Sequence, residues 1–128
     1  VSCAAGLASL NVMLKNNTVK QSKETGKRLL TALKRLAKKN KAIREVRGMG
    51  MMIGMEFVEG NHCEQFVKKA RELGLLLGFT LHTNRVVRMT PPLTLSEKEM
   101  NEGVKIMERA LDGKVKITFS RNFKMTEK

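Results

Sequence analysis

Tryptophan and tyrosine are absent, and phenylalanine occurs only 5 times in 128 residues. Platforms for stacking unpaired bases are therefore poorly supplied. Cysteine is scarce too. Cys3 and Cys63 are too few for a disulfide framework and point to a reducing, cytoplasmic setting. Neither belongs to a Cys-x-x-Cys pair, and the two histidines, His62 and His82, stand apart, so no metal site is expected. No apolar run approaches the ~20 residues of a membrane span, and the opening residues do not resemble a secretory leader. The acids are outnumbered: 12 Asp plus Glu face 25 Lys plus Arg, a net charge of +13. Such a field favours polyanions at low salt without identifying one.

What remains is ordinary for a globular protein, with 41% apolar and 29% charged residues. The length suits one domain with one core. The chain opens on Val1 within an apolar stretch, which reads as a piece of something longer.

Residues 2–14 read as a helix, dense in small and apolar side chains. Ala4, Leu7, Ala8 and Leu10 are too uniformly apolar for a free surface, so this helix is expected to be covered on more than one side. Thr18 is the expected N-cap of a second helix to about Asn40. Its apolar stripe is Val19, Leu29, Leu30, Leu33, Leu36 and Ala37, with Gly26 on the same side. Lys20, Lys23, Lys27, Arg28, Lys34, Arg35, Lys38 and Lys39 fill the opposite face. This face reads first as solvated surface, with a nucleic-acid stripe or a membrane-surface helix as alternatives.

Residues 43–57 read as one strand. Met49, Met51, Ile53, Met55 and Phe57 share one side, and Gly48, Gly50, Met52, Gly54 and Glu56 the other. The glycines imply a close approach by a helix or another backbone. Their Gly-x-Gly-x-x-x-Gly spacing does not match a dinucleotide loop. Asn61 and Glu64 form a weak capping box before Phe66, Val67, Ala70 and Leu73, and Gly74 fits the position just past the helix. Residues 75–79 and 85–90 read as short buried strands, the second stopped by Pro91 and Pro92. Ser96 and Glu99 form a strong capping box for a last helix ending at Gly113, with Met100, Gly103, Val104, Met107 and Leu111 on its apolar side. Two units are expected: a domain over residues 1–112 and a basic tail over 113–128 with a short strand near 115–119. The fold class is α/β in α+β layers, with helices packed on a small, mostly antiparallel sheet.

Few residues offer chemistry. There is no Ser/His/acid set and no paired carboxylate. His62 and His82 read as structural. Cys63 opens a helix, where a thiol pKa can fall, but has no predictable partner. Arg88 is the most informative residue. It lies on a strand read as buried, where a guanidinium is costly unless a carboxylate or phosphate pairs with it. Its fork suits a planar carboxylate, which is either an internal acid or a ligand.

At this point the residues resemble a family. Glu45-Val-Arg-Gly-Met-Gly-Met-Met-Ile-Gly-Met-Glu56 is similar to the "VRG-x-G-L-M-x-G-x-E" strand of class III aminotransferases, which use pyridoxal phosphate. Gly74-Leu-Leu-Leu77 followed by Val86-Val-Arg-Met-Thr-Pro-Pro-Leu93 resembles their "GLL … IR-x-x-PPL" segment. Ser96 to Leu111 resembles their final helix, and residues 2–10 the stretch after "TFGGNP". The likeness covers about residues 1–112 and leans toward the acetylornithine, ornithine and putrescine branch. It implies the C-terminal small domain of a type I pyridoxal-phosphate fold, in which Arg88 binds the substrate carboxylate. The parent would be a homodimer that moves an amino group from an ω-amino donor to 2-oxoglutarate. The family's Schiff-base lysine, pyridine-binding aspartate, phosphate-cup loop and "TFGGNP" threonine match nothing here. No catalytic, metal-binding or cofactor-binding residue is therefore assigned, and the chain alone is expected to be inactive without bound cofactor. The rival readings are a basic module that binds nucleic acid and a scaffold or regulatory dimer.

Overall fold

A computed structural model describes residues 1–80 and 83–112, with backbone alone for 79 and 80. Helices α1 (Ser2–Lys15) and α2 (Thr18–Lys39) come first. Strands β1 (Ile43–Met49) and β2 (Met52–Phe57), helix α3 (Gly60–Glu72), strands β3 (Gly78–Thr80) and β4 (Thr83–Met89) and helix α4 (Glu97–Asp112) follow. The sheet has order β1-β2-β4-β3, and all three pairings are antiparallel. The layered α/β expectation and the order of helices and strands therefore hold. His82, Gly113 and the expected tail strand lie outside the described residues.

The long strand expected over 43–57 is instead a hairpin. Met49 pairs with Met52, leaving Gly50 and Met51 as a two-residue turn. Gly50 has φ 57 at the first central position, where a type II′ turn requires glycine. The turn reverses the chain inside what reads as continuous alternation. Met49 and Met52 are exposed, while Met51, Ile53, Met55 and Phe57 are buried. The close approach inferred from the glycines is real at two of the three positions: a Cβ on Gly48 would collide with the Met52 carbonyl across the hairpin, and Gly50 lies against α2, while Gly54 has only ordinary contacts. A Cβ on Gly26 of α2 would collide with the Gly50 carbonyl, so helix and hairpin touch backbone to backbone.

The core lies between one sheet face and α2, α3 and α4. Ile53, Met55, Phe57, Val87 and Met89 meet Leu29, Leu33, Leu36, Phe66, Val67, Met100 and Met107. The α2 stripe is confirmed except for Val19, which is exposed at the helix start. Helix α3 begins at Gly60 with Glu59 as N-cap and no side-chain cap bond, so the Asn61–Glu64 box does not form. Its other end behaves as read. Gly74 has φ 93, its N–H donates to Arg71 O at 3.0 Å and that of Leu75 to Ala70 O at 2.8 Å, a Schellman closure. Residues 75–77 join no strand, and pairing begins at Gly78.

Helix α1 departs most from expectation. It forms, but every residue in it is exposed. Leu7, Leu10 and Leu14 are 62%, 59% and 76% exposed, and among the described residues nothing covers them.

Candidate functional site

The sheet face opposite the core carries the charges. Alternation along β1 places Glu45 and Arg47 there; β2 adds Glu56, and β4 adds Val86 and Arg88. Arg47 Nη1 donates to Glu56 Oε2 at 2.6 Å and to Glu45 Oε2 at 2.9 Å, and Arg44 Nη1 reaches Glu56 Oε1 at 3.4 Å. The hydrogen bond from Arg47 holds the Glu56 carboxyl below the usual carboxylate range. At the far end, the Ser96–Glu99 box forms as read. Glu99 Oε2 accepts from Ser96 N at 2.9 Å and from Ser96 Oγ at 2.6 Å. These bonds also lower the Glu99 pKa.

Lowered carboxylate pKa values set a pH dependence. Between the folded and unfolded values the unfolded chain binds more protons, so stability rises with pH across that window. The contribution is complete above the unfolded value, about 4.3 for glutamate, and is lost as pH falls through the folded ones. Urea midpoints should drop on acidification below that point. Glu56→Gln should flatten the drop, and an unchanged slope would contradict the assignment.

Arg88 corrects the sequence reading. It is exposed, so no desolvation cost has to be offset by a partner. Among the described residues no carboxylate pairs with it, which removes the internal ion pair as its explanation there. Its register partners are Gly54 on β2 and Gly78 on β3. It also lines a cleft of about 410 Å³ beside the end of β4. Leu77, Pro91, Leu95 and Met100 give that cleft apolar walls, and Arg88 and Glu99 are its charged groups. Glu99 could not be assigned to a site from sequence, because the capping box already accounts for it. Among the described residues no lysine lines the cleft.

The remaining candidates separate from this place. His62 is exposed in the first turn of α3, 3.9 Å from Glu59. Cys63 is fully buried, and burial pushes its thiol up to about 11, the reverse of helix-terminus activation. A thiol-reactive dye at pH ~8 should therefore label Cys3, which is exposed, and reach Cys63 only after denaturation. Rapid native labelling of both would contradict this. No group of three or more potential metal ligands occurs among the described residues, and no described helix is long and apolar enough to cross a membrane.

Residues 1–111 match the family described as aminotransferase class-III. An acetylornithine aminotransferase of Caldanaerobacter subterraneus is 37% identical over 111 residues, 87% of this chain but 28% of that protein. The structure of an acetylornithine aminotransferase from Elizabethkingia anophelis superposes with TM-score 0.79 at 24% identity, over 85% of this chain and 29% of that one. For an ornithine delta-aminotransferase of Plasmodium falciparum the TM-score is 0.73 at 27% identity, over 82% and 27%. The chain thus spans a little over a quarter of the relatives it matches.

Proposed function

The chain belongs to the class-III aminotransferase family, and from that premise we propose that it serves as the substrate-gripping small domain of a pyridoxal-phosphate transaminase. The observation that carries this reading is Arg88. It sits in the segment that resembles the family's "IR-x-x-PPL", lines a cleft, and has no acid partner among the described residues. A free guanidinium on a paired strand presents two parallel N–H groups to a carboxylate. It positions the substrate, and closing such a domain over a site excludes water.

The family is pyridoxal-phosphate dependent, and the cofactor supplies the electron sink for amino transfer. The described residues do not fit that cofactor on their own. The cleft has no lysine amine for an imine, and Glu99 is already engaged by Ser96. Hence the 128-residue chain is expected to be inactive even with added cofactor. The amino group would pass from an ω-amino donor to 2-oxoglutarate in a longer, dimeric protein carrying this segment. The uncovered α1 leucines support contacts of that kind.

In such a longer enzyme, Arg88→Lys should raise KM for 2-oxoglutarate about tenfold or more, the scale of a lost bidentate pair, without changing the cofactor spectrum. Unchanged KM and kcat would overturn the role.

A polyanion-binding module is the competing reading. In its favour, Lys20, Lys27, Lys34 and Lys38 are exposed along α2 and have no acid partner among the described residues. Arg28 and Lys39, by contrast, are tied to Glu97 and Glu108 at 3.1 and 3.4 Å. Weak, indiscriminate binding that vanishes with salt reports only net charge. Binding that prefers one nucleic-acid structure would favour this alternative.

A further inference from the structure

Two glycines flank Arg88, and neither has a conformational or packing reason to be glycine. In register, Gly54 faces Arg88 from β2 and Gly78 faces it from β3, while Arg47 faces Gly54 from β1. One cross-strand row therefore reads Arg47, Gly54, Arg88, Gly78. Directly paired residues lie ~4.5–5.5 Å apart between Cα atoms. Glycine inside a strand weakens it, since it loses more backbone entropy on folding and offers no side chain to pack.

The usual compensations are missing. Neither residue takes a positive φ. A Cβ on Gly54 would meet nothing nearer than Val86 Cγ1 at 3.6 Å, and one on Gly78 nothing nearer than Arg88 O at 3.7 Å. Both are ordinary van der Waals contacts, unlike the collision that forces Gly26. Arg47 is held by Glu45 and Glu56, so its charge is already met. The row thus offers one guanidinium with no acid partner among the described residues and a glycine on each side.

We propose that Gly54 and Gly78 are specificity-determining positions of the Arg88 site, leaving a flat floor on which a planar carboxylate lies edge-on to the guanidinium. The ligand class is a 2-oxo dicarboxylic acid, one carboxylate of which approaches along the sheet surface to meet both N–H groups of the fork. A side chain at either glycine would stand in that approach. This inference rests on the reading of Arg88 as a carboxylate clamp.

The test titrates the ¹⁵N-labelled chain with 2-oxoglutarate, following the Arg88 side-chain resonance and the Gly54 and Gly78 amides, with thermal melts in parallel. Gly54→Val and Gly78→Val should keep or raise Tm, because a Cβ at either position makes only ordinary van der Waals contacts and a β-branched residue suits a strand. They should nevertheless weaken binding by about fivefold or more. A purely structural role would not lose binding while keeping stability. Arg88→Gln should abolish saturable binding. If the glycine variants bind like wild type while Arg88→Gln does not, the floor is overturned and the clamp survives. If Arg88→Gln binds like wild type, or wild type shows no saturable shift, the clamp falls and this inference with it. Should a valine variant melt early, Gly54→Ala and Gly78→Ala are the readout. Undiminished binding by both overturns the proposal, and weakened binding at unchanged Tm supports it.

Discussion

Gly26→Ala should destabilise the chain, against the general trend for helices. Replacing glycine by alanine in an exposed helix interior normally gains about 1 kcal/mol. Gly26 is buried in α2, and a Cβ there would collide with the carbonyl of Gly50 and lie 2.9 Å from its Cα. Both contacts are backbone, held by the hairpin, and cannot rotate aside as a side-chain tip would. Either α2 lifts off the sheet or the turn is pushed open. Lifting α2 would also loosen Leu29 and Leu33, which are 4% and 0% exposed. Overpacking of this kind costs about 1–3 kcal/mol, enough to reverse the sign, and Gly26→Val should cost more. A urea midpoint at or above wild type for Gly26→Ala would show that helix and hairpin are not in backbone contact.

Phe57→Ala should be the most damaging single truncation. Phe57 is 1% exposed at the end of β2, with its ring centroid 5.2 Å from that of Phe66 at a tilt of 40°. It ties the hairpin to α3 through Phe66, and truncation removes that ring contact together with the buried side-chain volume. Truncating a buried phenylalanine costs about 3–5 kcal/mol. A domain of this size has about 5–15 kcal/mol in total, so a substantial loss of folded chain is expected. The comparison is Leu10→Ser on α1, where the side chain is 59% exposed and the urea midpoint should barely move. Equal losses in the two variants would mean that α1 is packed and that the core is not where the structure places it.

The locally encoded features were legible. The Ser96–Glu99 box and the Gly74 closure each depend on groups a few positions apart, so the residue types alone specify the hydrogen bonds. The stripe of Leu29, Leu33 and Leu36 was legible because burial on a helix follows its period. The misread features involve a change of direction or a partner. The β1–β2 hairpin was hidden because Gly50-Met51 is not one of the strong turn pairs, and the apolar alternation runs through it. The Asn61–Glu64 box failed because the helix starts two residues earlier than an Asn61 cap would place it, at Gly60 with Glu59 as its cap. Helix α1 was expected to be covered on the strength of its apolarity, but apolarity shows what a surface favours and not whether a partner is present.

The candidate site divides the same way. Arg88 stood out in the sequence through its neighbours and its family-like segment, but it was expected to be buried and in need of a charge partner. The fold leaves it exposed and without one among the described residues. The row that gives it meaning, Arg47, Gly54, Arg88 and Gly78, draws one residue from each of four strands.

By itself the sequence determined the helices, the Ser96–Glu99 box, the Gly74 closure, the core stripe and the family likeness, because these follow from periodicity, short-range hydrogen bonding and side-chain type; the expected caps at Thr18 and Asn61 fell instead to Asn17 and Glu59. Only the tertiary structure decided where the chain turns back, which glycines are compressed and which stand open, and that Arg88 sits between two of the open ones. Strand register depends on contacts between residues distant along the chain, and no local pattern specifies which of them will face one another.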